Sequence, residues 1–233
     1  MSPTGTTSPL LESVMGPTPE CMLVLLKTGA DVRDAGNRGD TAVHLLAAFG
    51  KGLEFVQPLV AAGIDLDARS MLGGPAMTHA ATYNNHIILK YLLKAGANPE
   101  LISYGDPLST VLGFAIGFNA HECVEILLEH GVECTMVSDN GETILHRAAE
   151  RADEETFEIM SRAGLRRFDV TARDSKGLTA EMVFKRRKIL SEELKVKFEW
   201  LISSITQKDM VSDERRIDED DVFEDANEYQ LHD

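Results

Sequence analysis

Histidine and cysteine are the side chains here with the widest chemical repertoire, and the chain has seven of the first and three of the second among 233 residues. Acid–base, nucleophilic or metal chemistry would require several of them to converge. His44 and His146 are the obvious candidates, and each stands three residues after a threonine, Thr41 and Thr143. His121-Glu122-Cys123 invites a metal reading, but consecutive residues of a helix point in different directions and cannot share one ion. Cys123 also falls on an apolar helical face with Val124 and Leu127. Cys21, Cys123 and Cys134 are odd in number and lie in no CxxC motif, so they read as free thiols of a reducing compartment. Leu72-Gly73-Gly74-Pro75 is a turn without the Lys-Ser/Thr of a phosphate loop. No catalytic residue, metal or cofactor is expected. The basic run Lys185-Arg186-Arg187-Lys188 has three readings: solvated charge on the first helix of a terminal cap, a nuclear import signal, or a partner for acidic residues of the same chain.

Lys and Arg total 23 against 38 Asp and Glu, a formal charge of −15. That balance repels phosphate backbones and anionic lipid, so neither nucleic acid nor a membrane surface is expected as a partner. Residues 1–16 lack Lys and Arg and do not resemble a secretory signal. No run approaches the ~18 apolar residues of a membrane helix. The expectation is a soluble chain of the cytoplasm or nucleus, long enough to sustain a core without disulfides or metals.

The elements that position these residues repeat. Glycines 29, 63, 96, 131 and 164 are spaced by 34, 33, 35 and 33 residues. A second marker keeps step: Thr41, Pro75, Thr110 and Thr143 each lie 21 or 22 residues ahead of the next such glycine, and Thr179 opens a further copy. Two markers in phase at this period indicate stacked supersecondary units. Small pairs such as Ala80-Ala81 and Ala148-Ala149 let a short first helix approach its neighbour, while Ile88, Leu89, Leu92 and Leu93 form the buried face of a second. Each glycine supplies a left-handed helix cap, and the polar residues after it build a turn that projects as a finger. The threonine and histidine of each T-x-x-H element are placed to tie turn to helix by hydrogen bonds.

The best-preserved copy, Gly141-Glu142-Thr143-Ile144-Leu145-His146-Arg147-Ala148-Ala149, resembles the ankyrin repeat, whose signature runs G-x-T-P-L-H-x-A-A. Gly39-Asp40-Thr41-Ala42-Val43-His44 repeats it, and Ser8-Pro9-Leu10-Leu11 is a worn opening copy. The resemblance covers roughly residues 8–206 and implies an all-α ankyrin-repeat solenoid of helix-turn-helix units with β-hairpin-like finger loops. It also implies that His44 and His146 stabilise turns rather than catalyse. Repeat two departs with Pro75 and Thr78 where Thr and His are expected, and repeat three with Gly113 and Ile116, so looser turns are expected there. Pro58, inside a second helix, normally costs ~3 kcal/mol and kinks the helix; the extra residue near Gly50-Lys51-Gly52 is expected to compensate.

The chain is expected to divide into a repeat domain over 1–206, with units 8–35, 36–69, 70–104, 105–138 and 139–173 and a cap at 174–206, followed by an acidic disordered tail at 207–233. Pro19 is expected to open the front helix at its favoured first position, with Met22, Leu25 and Leu26 on its buried side. Leu194, Phe198, Leu201, Ile202 and Ile205 mark one face of a long final helix, with Trp200 beside it. The tail holds eleven acidic residues against Lys208, Arg215 and Arg216, a net of −8 that leaves −7 for the rest. Ile217, Val222, Phe223, Tyr229 and Leu231 are scattered through it, so it reads either as a solubilising extension or as a docking segment.

The resemblance also implies a binding surface, a concave groove lined by finger tips and by the two residues that end each first helix. Those residues are Ala48 and Phe49, Thr82 and Tyr83, Gly117 and Phe118, then Glu150 and Arg151. Phe49, Tyr83 and Phe118 occupy one equivalent position and are expected to form an aromatic row, unless they pack between neighbouring helices. Met71, Leu72 and Tyr104 lie on adjacent fingers, and Arg38, Asp139 and Asn140 supply finger-tip polarity. Aromatic, Met and Arg side chains are what interface centres favour. The function implied is a non-catalytic adaptor or scaffold that binds another protein and is monomeric by itself. One alternative is an inhibitor that masks a basic partner with the acidic tail, as in the inhibitory partners of Rel-type transcription factors. A remote alternative is an enzyme or enzyme subunit.

Overall fold

The computed structural model describes residues 8–71, 73–103, 108–165 and 168–206, and within them the chain forms six helix pairs. They are α1 (Pro9–Ser13) with α2 (Glu20–Lys27), α3 (Ala42–Phe49) with α4 (Leu53–Ala61), and α5 (Ala76–Thr82) with α6 (His86–Lys94). Then come α7 (Val111–Gly117) with α8 (His121–His130), α9 (Ile144–Arg151) with α10 (Glu154–Ala163), and α11 (Ala180–Phe184) with α12 (192–206). The first helices α3, α5, α7, α9 and α11 pack side by side in one layer, and α4, α6, α8 and α10 form a second. Ala80, Ala81, Ala148 and Ala149 are fully buried between first helices, as their size requires. Ile88, Leu89 and Leu92 are fully buried in the second layer, each stabilising by roughly 2 kcal/mol through removal of apolar surface from water. Among the described residues no helix is long and apolar enough to cross a membrane.

The fingers share one local design. Gly39, Gly73, Gly141 and Gly177 have φ between +69° and +88°, and each donates its N–H to the carbonyl three residues back. A side chain at these positive φ values would be strained. Consecutive tips are tied by single backbone bonds, Met71 N–H to the Arg38 carbonyl and Ser175 N–H to the Asn140 carbonyl, both at 2.6 Å. The hairpin character is minimal: among the described residues there is no strand, only isolated bridges at Ala35–Thr41 and Val137–Thr143. Those two bridges belong to the repeats that keep both Thr and His. In repeat two, Thr78 Oγ1 donates to the Pro75 carbonyl at 2.7 Å instead, so one cross-link is replaced by a shorter one. In repeat three Gly113 leaves room for the Leu108 carbonyl oxygen, which a β-carbon there would overlap.

Helix α4 runs unbroken from Leu53 to Ala61 through Pro58, so the kink does not interrupt it. Lys51 reaches back to the Gly16 carbonyl at 2.8 Å and ties repeat one to the front cap. Pro19 is the N-cap of α2, one position before the helix rather than inside it. The basic run does not lie on the first cap helix, since α11 ends at Phe184 and Lys185–Lys188 form the turn beyond it. Arg187 in that turn is structural: its guanidinium donates to the Ala152 carbonyl at 2.6 Å and lies over the Phe184 ring, and burial lowers its pKa. The cap core is a cluster of three rings, with Phe184 and Phe198 stacked at 4.1 Å and Phe157 edge-on to both.

Candidate protein-binding groove

The two histidines do positional work. Thr41 N–H donates to His44 Nδ1 at 3.2 Å, so Nδ1 is unprotonated and the neutral ring carries its proton on Nε2, which donates to the Gly74 carbonyl at 3.3 Å. His146 repeats the arrangement with Thr143 N–H at 3.2 Å and the Leu178 carbonyl at 3.0 Å. Each imidazole therefore joins a helix start to the finger of the following repeat. Burial is the main cause that lowers the His44 pKa to about 4, with the neighbouring His79 adding to it. Burial likewise raises the Cys123 thiol to about 12 and the Cys134 thiol to about 11, which makes both poor thiolate nucleophiles. His121 lies between the Asp153 and Glu155 carboxylates at 2.9 and 3.3 Å. No group of three His, Cys, Asp or Glu side chains comes together to hold a metal among the described residues.

Phe49 closes α3, and Tyr83 and Phe118 are the C-caps of α5 and α7. They are 51%, 62% and 58% exposed, so the alternative of packing between first helices does not describe them. Phe118 stacks on Phe114 of its own helix, with ring centroids 6.4 Å apart, and still shows more than half its surface. Arg151 ends α9 at the equivalent position and is exposed beside Glu150. The four equivalent positions thus hold three rings and one guanidinium. Met71 is 70% exposed on the second finger, and Arg38, Asp139 and Asn140 are exposed on the first and fourth. Leu72 and Tyr104 lie outside the described residues, as does the tail at 207–233.

Asn84 and Asn119, which the sequence reading passed over, shape the turns beside the row. Both adopt φ +52°, the left-handed conformation that asparagine tolerates better than most residues. Asn119 Oδ1 accepts from the Asp153 N–H at 2.9 Å and its amide donates to the Arg151 carbonyl at 3.3 Å, which couples the third member of the row to the fourth. An Asn immediately after a helix-ending aromatic was the available signal.

At its C-terminal end the surface deepens into a cleft of about 570 Å³ between the fingers bearing Glu142 and Lys176, the α9 residues Arg147 and Glu150, and the turn Arg186–Ile189. Three members of the basic run, Arg186, Arg187 and Lys188, line it, while Lys185 pairs with Glu181 at 2.5 Å.

The family model described as ankyrin repeats (3 copies) matches residues 10–103 and 78–174. The E3 ubiquitin-protein ligase KEG of Arabidopsis thaliana is 33% identical over 103 residues, which is 44% of this chain and 6% of the ligase. The human SH3 and multiple ankyrin repeat domains protein 2 is 32% identical over 144 residues, 61% of this chain and 8% of that protein. Inversin of Canis lupus familiaris is 27% identical over 146 residues, 63% of this chain and 13% of inversin. The chain thus spans about a tenth of the length of these relatives. In three dimensions it is similar to the crystal structure of the ankyrin repeat domain of Bcl-3, with a TM-score of 0.68 and 21% identity over 85% of each chain. With the family model covering most of the helix pairs and the solenoid matching a solved ankyrin domain, the chain belongs to the ankyrin repeat family.

Proposed function

We propose that this chain is a non-catalytic adaptor that holds a segment of a partner protein against the row Phe49, Tyr83, Phe118 and Arg151. Ankyrin repeats form a protein-interaction domain; the finer assignment to this row rests on one observation, three equivalent rings each more than half exposed. Large exposed rings at a recurring position serve no packing need of the repeat and have the composition of interface centres. The regular helix pairs that carry them present the rings preorganised, so binding orders few side chains. The stretch shared with the ubiquitin ligase is 6% of that protein and does not bring ligase chemistry to this chain. Three free thiols fit a reducing cytoplasmic or nuclear setting.

The test is affinity purification with crosslinking mass spectrometry of the intact chain beside a Phe49→Ala, Tyr83→Ala, Phe118→Ala version. Because all three rings are exposed, the variant should keep its helicity and lose less than about 1 kcal/mol of stability. Partners lost from the folded variant, with crosslinks on the fingers, support the reading; unchanged partners overturn it.

A further inference from the structure

We propose that the C-terminal cleft selects anions and that its occupant is the acidic segment 218–225 of the same chain. The cleft gathers Arg147, Lys176, Arg186, Arg187 and Lys188 against Glu142, Glu150 and Asp174, a local surplus of positive charge in a chain whose net charge is −15. Arg187 is held by the Ala152 carbonyl. Lys176, Arg186 and Lys188 are exposed; Lys176 acts on the nearby Asp174 carboxylate without closing an ion pair, and Arg186 and Lys188 close none among the described residues. Cations grouped this way repel one another, and an anionic guest relieves that repulsion.

Segment 218–225 complements the cleft in two respects. It reads Asp218-Glu219-Asp220-Asp221-Val222-Phe223-Glu224-Asp225, six carboxylates around two apolar residues. The cleft offers its cations around apolar residues of its own, of which Ile189 is 84% exposed. Distance also permits the contact. The cleft residues 186–189 immediately precede α12, and the tail leaves from the far end of that helix, about 22 Å away at 1.5 Å per residue. The spacer 207–217 spans up to about 36–40 Å when extended, enough to return along α12. Tethering of this length gives an effective concentration on the order of millimolar, so weak exposed pairs suffice to fill the cleft much of the time. The tail then acts as an internal competitor of any acidic ligand at that end of the groove. This inference stands apart from the aromatic row, since neither its cations nor its occupant involves the rings.

The experiment is zero-length carbodiimide crosslinking of the full chain, read by mass spectrometry on an equal mixture of isotope-labelled and unlabelled protein. Crosslinks from Lys176 and Lys188 to 218–225 are expected within one chain. They should fall about threefold in Arg186→Glu, as loss of one exposed charge partner would give, and fall further when salt is raised to about 0.5 M. A second variant that leaves the repeats untouched, with Asp218, Glu219, Asp220 and Asp221 changed to their amides, should raise the acetylation rate of Lys176 and Lys188 in the same chain. Crosslinks spread evenly over Lys27, Lys90 and Lys94 would overturn the proposal, as would their absence. Crosslinks joining labelled to unlabelled chains would overturn it in favour of a second copy as the source of the acid. The Phe49→Ala, Tyr83→Ala, Phe118→Ala variant should keep these crosslinks, so failure of one reading is distinguishable from failure of the other.

Discussion

Acid acts on the fold through His44. Its folded pKa of about 4 lies below the 6.5 of an exposed imidazole, so the unfolded chain takes up the proton first. The stabilisation is complete above about pH 6.5 and is lost as pH falls from there toward 4. Between pH 7.5 and 5 this amounts to about 2 kcal/mol, to be measured as urea midpoints, and His44→Gln should flatten that part of the pH profile while lowering stability at neutral pH. His146→Ala removes the bonds to Thr143 and to the Leu178 carbonyl and should cost about 1–3 kcal/mol in the same assay. The pairing of Thr with His was legible from their spacing alone. The reach of Nε2 into the next finger was not, because it depends on how closely two repeats stack, and no spacing encodes that distance.

At the scale of the helix, two residues that look like defects have opposite meanings. Pro58 deprives α4 of one backbone N–H without stopping the helix, so Pro58→Ala should raise stability by about 1–3 kcal/mol in chemical denaturation. Gly113 looks like an eroded motif position, yet its missing side chain is required by the Leu108 carbonyl beside it. Gly113→Ala should therefore destabilise by about 2 kcal/mol or more even though alanine is the better helix former by about 1 kcal/mol. Helix number, the glycine caps and the alanine faces were readable because period and side-chain size dictate them. The purpose of Gly113 and the end of α11 before Lys185 were not, because each is set by a contact from a neighbouring segment. The aromatic positions were located by register, but whether their rings face solvent or pack between helices was not, because that turns on how closely neighbouring first helices stack.

For the whole molecule, stability is a sum of repeat interfaces, and the cap is secured by Phe157, Phe184 and Phe198. Phe198→Ala should cost about 3–5 kcal/mol locally. Trp200, the single tryptophan, sits on α12 and would report detachment of the cap by fluorescence before the bulk of the helices melt by circular dichroism. Coincident transitions by the two probes would refute a separable cap. The imidazole links add a direction to this stack. His44 depends on the finger after it, at Gly74, and His146 on the one at Leu178. The interface that fastens the C-terminal cap carries one of these links, whereas α1 has no histidine with which to clasp the finger that follows it. The solenoid is in this sense buttoned more firmly at its back than at its front, and amide exchange should advance inward from α1 more readily than from α12.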